Sequence, residues 1–393
     1  MKTKNSTFIL ILSTAAMMMS FTVWSVFAPI ATEIQRLYQL SALEKSILIA
    51  APILLGSIMR IPMGILTDRY GGRRLYTLTM LFLALPLIGA GFAASYSMLL
   101  LAAFFIGMAG TTFAISIAYV SRWFPAEKQG LVLGIAGMGN LGSAAANFLI
   151  PIIFTFYGLG WVFWSLALSI GIMAVLFWFG TQDEKQPNEV KRLKDSLSVL
   201  KFQETWILSL FYFLTFGGFV TFSMYLPTLL VDLFTMTAVK AGMVTAGFVV
   251  AATFVRPVGG YLSDRFGARK VLTVVFCGVF LFGLCISFTL DSFASFSVIC
   301  MMAALVLGVG NGAVFKMVPE VSPENIGSVT GIVGAFGGVG GFFPPILIGF
   351  TKDITGDYFL SFALLALLSL VCLLLHQIMN SRTNAHVRTI NHS

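Results

Sequence analysis

Runs of about twenty apolar residues follow one another from Phe8 to Met379, with mostly short polar breaks between them. Wound as a helix rising about 1.5 Å per residue, each run crosses the ~30 Å of hydrocarbon in a bilayer. Inside that hydrocarbon every backbone N–H and C=O must find a partner within its own segment, which makes each run a helix. Only 10% of the residues are charged, where a soluble domain carries about a quarter, and 58% are hydrophobic. The expected class is an all-α membrane protein embedded in the lipid bilayer. The first run, Phe8 to Ile30, is too long for a signal-peptide core and is read as a retained helix.

Twelve spans are expected, at about 8–30, 43–66, 75–94, 97–120, 131–156 and 159–180, then 205–230, 241–263, 271–290, 293–316, 328–350 and 358–379. The only long polar segment, Thr181 to Gln203, divides them six and six. The expected organisation is therefore a six-helix bundle over 1–180, a linker over 181–204, a second bundle over 205–380 and a tail over 381–393. With the N-terminus inside, eighteen of the 24 Lys and Arg fall on inner segments, and only Arg36, Lys45, Lys240 and Lys352 on outer ones. By the positive-inside rule both termini and the linker are then cytoplasmic. The net charge of +8 is dispersed over short loops, which is a topology pattern and not a nucleic-acid face. Cys277, Cys285, Cys300 and Cys372 all lie in apolar runs with no C-x-x-C spacing, as buried small hydrophobes do.

The chain is also a duplication. RIPMGILTDRYGGRR, Arg60 to Arg74, returns as RPVGGYLSDRFGARK, Arg256 to Lys270. Arg60 and Arg256, Gly64 and Gly260, Asp68 and Asp264, Arg69 and Arg265, Gly71 and Gly267, and Arg73 and Arg269 all pair at one offset of 196 residues. Gly71 and Gly267 permit a tight turn, while Arg73, Arg74, Arg269 and Lys270 hold the loop inside. Asp68 and Asp264 are placed to meet the positive N-terminus of a helix in the other half, with Arg122 a further candidate partner for Asp68. The plainer alternative is that these charges cap helix ends and mark topology.

Arg60 and Arg256 lie deep in apolar runs, where an arginine costs ~2.5–3.5 kcal/mol on insertion scales. All sixteen acidic residues fall at span ends or in loops, so none neutralises either arginine near the midplane. Two unpaired guanidiniums in two-fold-related positions make an anion site, and their planar forks suit a small planar oxyanion. Snorkelling, or pairing with backbone carbonyls, is the competing account. In span 5, GIAGMGNLGSAAANFLIP (Gly134 to Pro151) answers GIVGAFGGVGGFFPP (Gly331 to Pro345) in span 11. Glycines such as Gly137, Gly139, Gly334 and Gly337 serve close helix packing or bring backbone to a small ligand, and spacing does not choose. Asn140 adds one amide to the stripe.

Six-plus-six parallel repeats describe the major facilitator architecture. The loop pattern G-x-L-[TS]-D-R-[YF]-G-x-R-[RK] resembles that superfamily's signature after helices 2 and 8. The span 5 and span 11 stretches resemble the paired signatures of its nitrate/nitrite porter family. LSLFYFLTFGGFVTFSMYLP (Leu208 to Pro227) and GVGNGAVFKMVPE (Gly308 to Glu320) are similar to that family's spans 7 and 10. A monomer is the default expectation, and no prosthetic-group motif calls for a cofactor. The resemblance implies a carrier of nitrate and nitrite. It implies that Arg60 and Arg256 hold the anion, with Asn140 beside it and Phe113, Tyr212 and Phe216 around it. Span 11 lacks a counterpart of Asn140, so the site is expected to be only approximately two-fold.

Two like charges in an empty cavity resist its closure, and a bound anion offsets part of that repulsion, so exchange of one monovalent anion for another is favoured. No carboxylate lies at midplane, and His376, His386 and His392 sit at the end of the last span and in the tail. Nitrate/nitrite antiport is therefore the leading expectation and nitrate–proton symport the second. Lys316 is a candidate for biasing anion uptake at the inner mouth, and its alternative is the positive-inside rule. A carrier of small carboxylates or phosphate esters, and a sensor that binds anion without moving it, are the other readings. An enzyme is not expected, since no Ser-His-Asp set, metal cluster or phosphate-cradling loop occurs.

Overall fold

The computed structural model describes residues 2–124, 132, 134–183, 198–321 and 326–391, and among them there are helices and turns but no strand. Eleven helices are long and apolar enough to cross a membrane. They are span 1 (Ser6–Tyr38), span 3 (Gly72–Gly91), span 4 (Tyr96–Ser121), span 5 (Gly134–Tyr157), span 6 (Leu159–Gly180), span 7 (Gln203–Phe234), span 8 (Ala238–Phe266), span 9 (Ala268–Ser287), span 10 (Phe293–Val318), span 11 (Val329–Thr355) and span 12 (Phe359–Asn380). The bent pair Ala42–Ile58 and Arg60–Thr67 makes span 2 and brings the number to twelve.

Two spans depart from the expected outlines for physical reasons. Span 1 does not stop at Ile30. It passes through a 3-10 turn at Ala28–Ile30 and continues as a helix to Tyr38. Glu33 and Arg36 end the apolar run there but not the helix. Span 2 is not one straight rod, since it bends by 40° at Met59. Pro62 has no N–H to give to the carbonyl one turn back, which is a sufficient cause for a kink at that point. Span 8 carries its proline, Pro257, one position earlier in the repeat and runs unbroken from Ala238 to Phe266. The expected start of span 5 at residue 131 lies outside the described residues.

Helix ends follow local rules. Ser41 and Glu44 form a reciprocal capping box at the start of span 2. Ser95 and Thr237 accept from the first turns of spans 4 and 8. Gly71 and Gly267, at φ 91° and 88°, turn the chain between spans 2 and 3 and between spans 8 and 9. Those are backbone angles that a side chain resists.

The duplication is visible in the packing. Span 3 lies on span 6 as span 9 lies on span 12, and span 1 lies on span 5 as span 7 lies on span 11. Spans 2 and 4 approach where a Cβ on Gly107 would strike the Pro52 carbonyl, and spans 8 and 10 where one on Gly308 would strike that of Ala252. Across the two sets of six, span 2 packs on span 11 and span 5 on span 8. Spans 1 and 7 are the most enclosed and span 12 the least. The outer surface is apolar, with Phe156, Phe179 and Val274 among its most exposed side chains.

The two sets of six close on each other at the end away from the chain termini. There a Cβ on Gly242 of span 8 would strike the Asn147 carbonyl of span 5, and one on Gly349 of span 11 would strike Ser46 of span 2. On the terminus side, a Cβ on Gly64, Gly134, Gly137, Gly260, Gly331 or Gly334 meets nothing within 4 Å. These six lie on spans 2, 5, 8 and 11, the four that face the other half. Among the described residues the halves thus touch closely at the far end and leave room at these positions on the terminus side.

Neighbouring glycines in the repeated motif test the packing. A Cβ on Gly259 would collide with the backbone of Val309, whereas one on Gly260 meets open space. Gly259→Ala should cost about 1–3 kcal/mol by overpacking and lower the thermal unfolding temperature in detergent, while Gly260→Ala should leave it unchanged. Equal effects at both positions would contradict the observed contact between spans 8 and 10.

Candidate anion site

Arg60 is the first residue after the bend in span 2, and the bend turns its side chain inward between the halves. The residue is buried, at 4% exposure. Its Nε donates to the Gly110 carbonyl of span 4 at 3.3 Å, and its Nη1 donates to the Gly334 carbonyl of span 11 at 3.0 Å. The second bond crosses from one half to the other. Nη2 is buried with no partner. The Phe113 ring lies 5.3 Å and the Phe216 ring 5.5 Å from the guanidinium carbon, at cation–π distance.

Arg256 enters from span 8 and is half-buried. Its Nη2 donates to the Tyr212 hydroxyl at 3.3 Å, its Nη1 is buried without a partner, and the Phe315 ring lies 5.7 Å from its guanidinium carbon. Tyr212 stacks on Phe216 at 5.0 Å and meets Phe315 edge-on at 4.8 Å, so the aromatic groups form one continuous wall. Tyr212 links the two guanidiniums, since its hydroxyl takes the Arg256 bond and its ring stacks on Phe216, which lies over Arg60. Among the described residues, no carboxylate is paired with either arginine. An unmet buried donor costs ~1–3 kcal/mol, more when charged. The structure therefore holds two N–H groups, one from each half, that lack an acceptor.

Asn140 ends a 3-10 turn, Met138–Asn140, and is 3% exposed with its Oδ1 unpartnered. The amide can present a donor or an acceptor by rotating half a turn. The four glycines singled out from spans 5 and 11 divide into two kinds. Gly137 and Gly334 border open space, and Gly334 lends its carbonyl to Arg60. Gly139 and Gly337 are filled against Met17 and Tyr212, so close packing accounts for them. Met17 and Tyr212 are thereby counterparts in the two repeats. Only the second half has a hydroxyl there. A side chain at Gly338 would press on Ser57 and on the Arg60 guanidinium.

Phe315 is the residue the sequence reading missed. It stands to Arg256 as Phe113 stands to Arg60, each three residues beyond a glycine, Gly312 or Gly110, that meets the neighbouring span. Superposing span 10 on span 4 at an offset of 202 residues would have found it.

The loop residues lie away from the arginines, at the terminus end. Arg69 and Arg265 rest over the rings that follow them, Tyr70 and Phe266. Arg73 stacks on Trp178 at 4.0 Å and donates to that residue's carbonyl, while its backbone N–H is bound by Asp183. Asp183 thus occupies the N-terminus of span 3, as a helix dipole favours. Arg269 gives its carbonyl to the His376 ring. The expected meeting of Asp264 with a helix N-terminus of the other half falls on the start of span 5, which lies outside the described residues. Asp264 pairs with Lys316, the lysine expected at the inner mouth. Arg122 closes span 4, and its expected partnership with the Asp68 side chain lies outside the described residues.

The profile of the Major Facilitator Superfamily matches residues 13–343 and 208–388. The chain is 35% identical to the nitrite extrusion protein of Bacillus subtilis, over 97% of this chain and 98% of that one. It is 35% identical to the probable nitrate/nitrite antiporter NarK1 of Thermus thermophilus, over 93% and 90%, and 37% identical to the probable nitrate/nitrite transporter NarK2 of Mycobacterium tuberculosis, over 92% and 93%. Among solved structures, a bacterial homologue of the human lysosomal transporter Spinster superposes with a TM-score of 0.73 at 18% identity, covering 96% of this chain and 97% of that one, which shows a shared fold. The chain belongs to the nitrate/nitrite porter family of the major facilitator superfamily and is a membrane transporter, not an enzyme.

Proposed function

We propose that this transporter exchanges nitrate and nitrite across the cytoplasmic membrane, holding one anion between Arg60 and Arg256. The observation that carries the reading is the pair of unmet guanidinium donors, Nη2 of Arg60 and Nη1 of Arg256. Each comes from a different half, and no described carboxylate is paired with either. A planar anion offers several acceptor oxygens and can receive from both forks at once. Phe113, Phe216 and Phe315 flank the guanidiniums, and Tyr212 and Asn140 add neutral polar groups that orient without adding charge. Relatives named as nitrate and nitrite carriers agree with that substrate class.

In this reading residues 1–180 and 205–380 rock as two bodies about the bound anion, with 181–204 as the linker and 381–393 as the tail. Lys and Arg bias puts the termini in the cytoplasm, so the cleft faces inward here. A single chain supplies both arginines and the whole cleft, so a monomer suffices. The empty cleft opposes closure because two cations would be brought together in a dry space, and an anion removes that cost. Net flux in the empty state is therefore slow and exchange is fast.

Purified protein in liposomes separates the couplings. Labelled nitrate should enter vesicles preloaded with nitrite and fail to enter vesicles given only an inward proton gradient. Uptake driven by protons alone would replace exchange by symport, and competition by formate or glycerol phosphate as strong as by nitrite would replace the substrate. In the same assay Arg60→Lys or Arg256→Lys keeps the charge and loses the fork. Losing one charge-assisted hydrogen bond of ~1.5–3 kcal/mol should slow exchange about 10- to 100-fold, with normal membrane insertion. Full activity in both variants would contradict a two-fork site.

A further inference from the structure

The sealed end of the cleft contains a buried cation far from the anion site. Lys45 stands in the first turn of span 2 and is 2% exposed. Its Nζ donates at 2.9 Å to Oδ2 of Asp232, at the end of span 7, in the opposite half. The Tyr358 hydroxyl, at the start of span 12, donates to the same oxygen at 2.7 Å. Two more bonds bind the same turn of span 2 to the other half. The Leu43 N–H donates to Asp353 at 2.9 Å, and Ser46 shares a 2.9 Å hydrogen bond with Tyr225. Gly349 lets this turn lie directly on span 11.

The arrangement has no two-fold counterpart. The position matching Lys45 in the second repeat is Ala241, and the residue after it, Gly242, meets span 5 by bare backbone contact. One of the two far-end seams is thus closed by backbone contact, and the other is held by charge. The lysine end of this ion pair is enclosed between the halves, while the Asp232 side chain keeps 22% exposure, and removing Asp232 strands a buried charge. When the halves part at this end, Lys45 also meets water and the two groups are solvated separately.

We propose that Lys45 and Asp232, with Tyr358, form the far-end gate of the transport path, a charge latch that breaks each time the carrier opens to that side. The inference rests on alternating access between the two halves and not on the identity of the anion. It assigns a role in transport to residues that never touch the substrate. With the latch intact the far end closes and the cleft opens toward the termini, as in this structure. With one partner removed, far-end closure is destabilised and the population shifts toward the state open at the far end.

The test is a distance measurement in the full chain, with the four native cysteines replaced by alanine and spin labels at Leu37→Cys and Lys240→Cys. Both positions are exposed, lie at the far end on opposite halves and stay outside the latch. Measured without any transported anion, Lys45→Gln and Asp232→Asn should each move the distance distribution from a short to a long population. Nitrate/nitrite exchange should fall at least tenfold in each, with nitrate affinity within about threefold of wild type, a split that a misfolded site would not give. The exchanged pair Lys45→Asp with Asp232→Lys should restore the short population and most of the exchange. Unchanged distances in both single variants would overturn the gate, and so would a charge-exchanged variant no better than the single ones. Because the distances need no substrate, a gate that responds in a protein that does not move nitrate would leave this inference standing and remove only the proposed substrate.

Discussion

Everything in this molecule is arranged around two positive charges that the membrane would otherwise forbid. A guanidinium in hydrocarbon is stable only where a cavity, a carbonyl or a counter-ion receives it. Arg60 is received by two carbonyls and two aromatic rings, and Arg256 by one hydroxyl and one ring. Each still has one buried nitrogen unmet. The residual demand is complementary to a small anion and to little else, and it comes from both halves at once. A ligand that satisfies both halves lowers the free energy of bringing them together. That is the differential stabilisation an alternating carrier needs.

The duplication provides two cations but not two equal environments. Span 2 bends just before Arg60, while span 8 runs straight through Arg256. Met17 fills against Gly139 where Tyr212 fills against Gly337, so the Tyr212 hydroxyl that meets Arg256 has no counterpart in the first half. At the far end the two seams also diverge, one closed by Gly242 on Asn147 and the other by Lys45 on Asp232. In the proposed mechanism two-fold symmetry supplies the rocking geometry, and its local breaks supply an orientation for the anion and a charged latch on one side.

How much of this could be read from residues alone follows from the physics of each feature. The spans were legible because a bilayer imposes length and apolarity on every crossing, and the arginines because a repeated charge inside an apolar run has few explanations. The turn glycines Gly71 and Gly267 were legible because only positive φ needs them there. Other features depend on what lies opposite in space. Phe315 was hidden among 38 phenylalanines until its place over Arg256 was known. Lys45 and Asp232 read as ordinary charges at span ends, since hydropathy sees position along the chain and not the partner from the other half. The pairing of Asp264 with Lys316 was hidden for the same reason, since the two lie on different spans and meet only in the folded chain. The bend at Met59 was missed because a proline in a membrane helix is tolerated straight or kinked, as Pro257 and Pro62 demonstrate.

The central claim is that the two unmatched guanidiniums form one anion site, and calorimetric titration of nitrate into the purified protein tests it most directly. The account predicts one nitrate bound per chain, and loss of that binding when either Arg60 or Arg256 is replaced by glutamine. Saturable binding at the same stoichiometry with both arginines replaced would contradict it, and would place the anion elsewhere in the cleft.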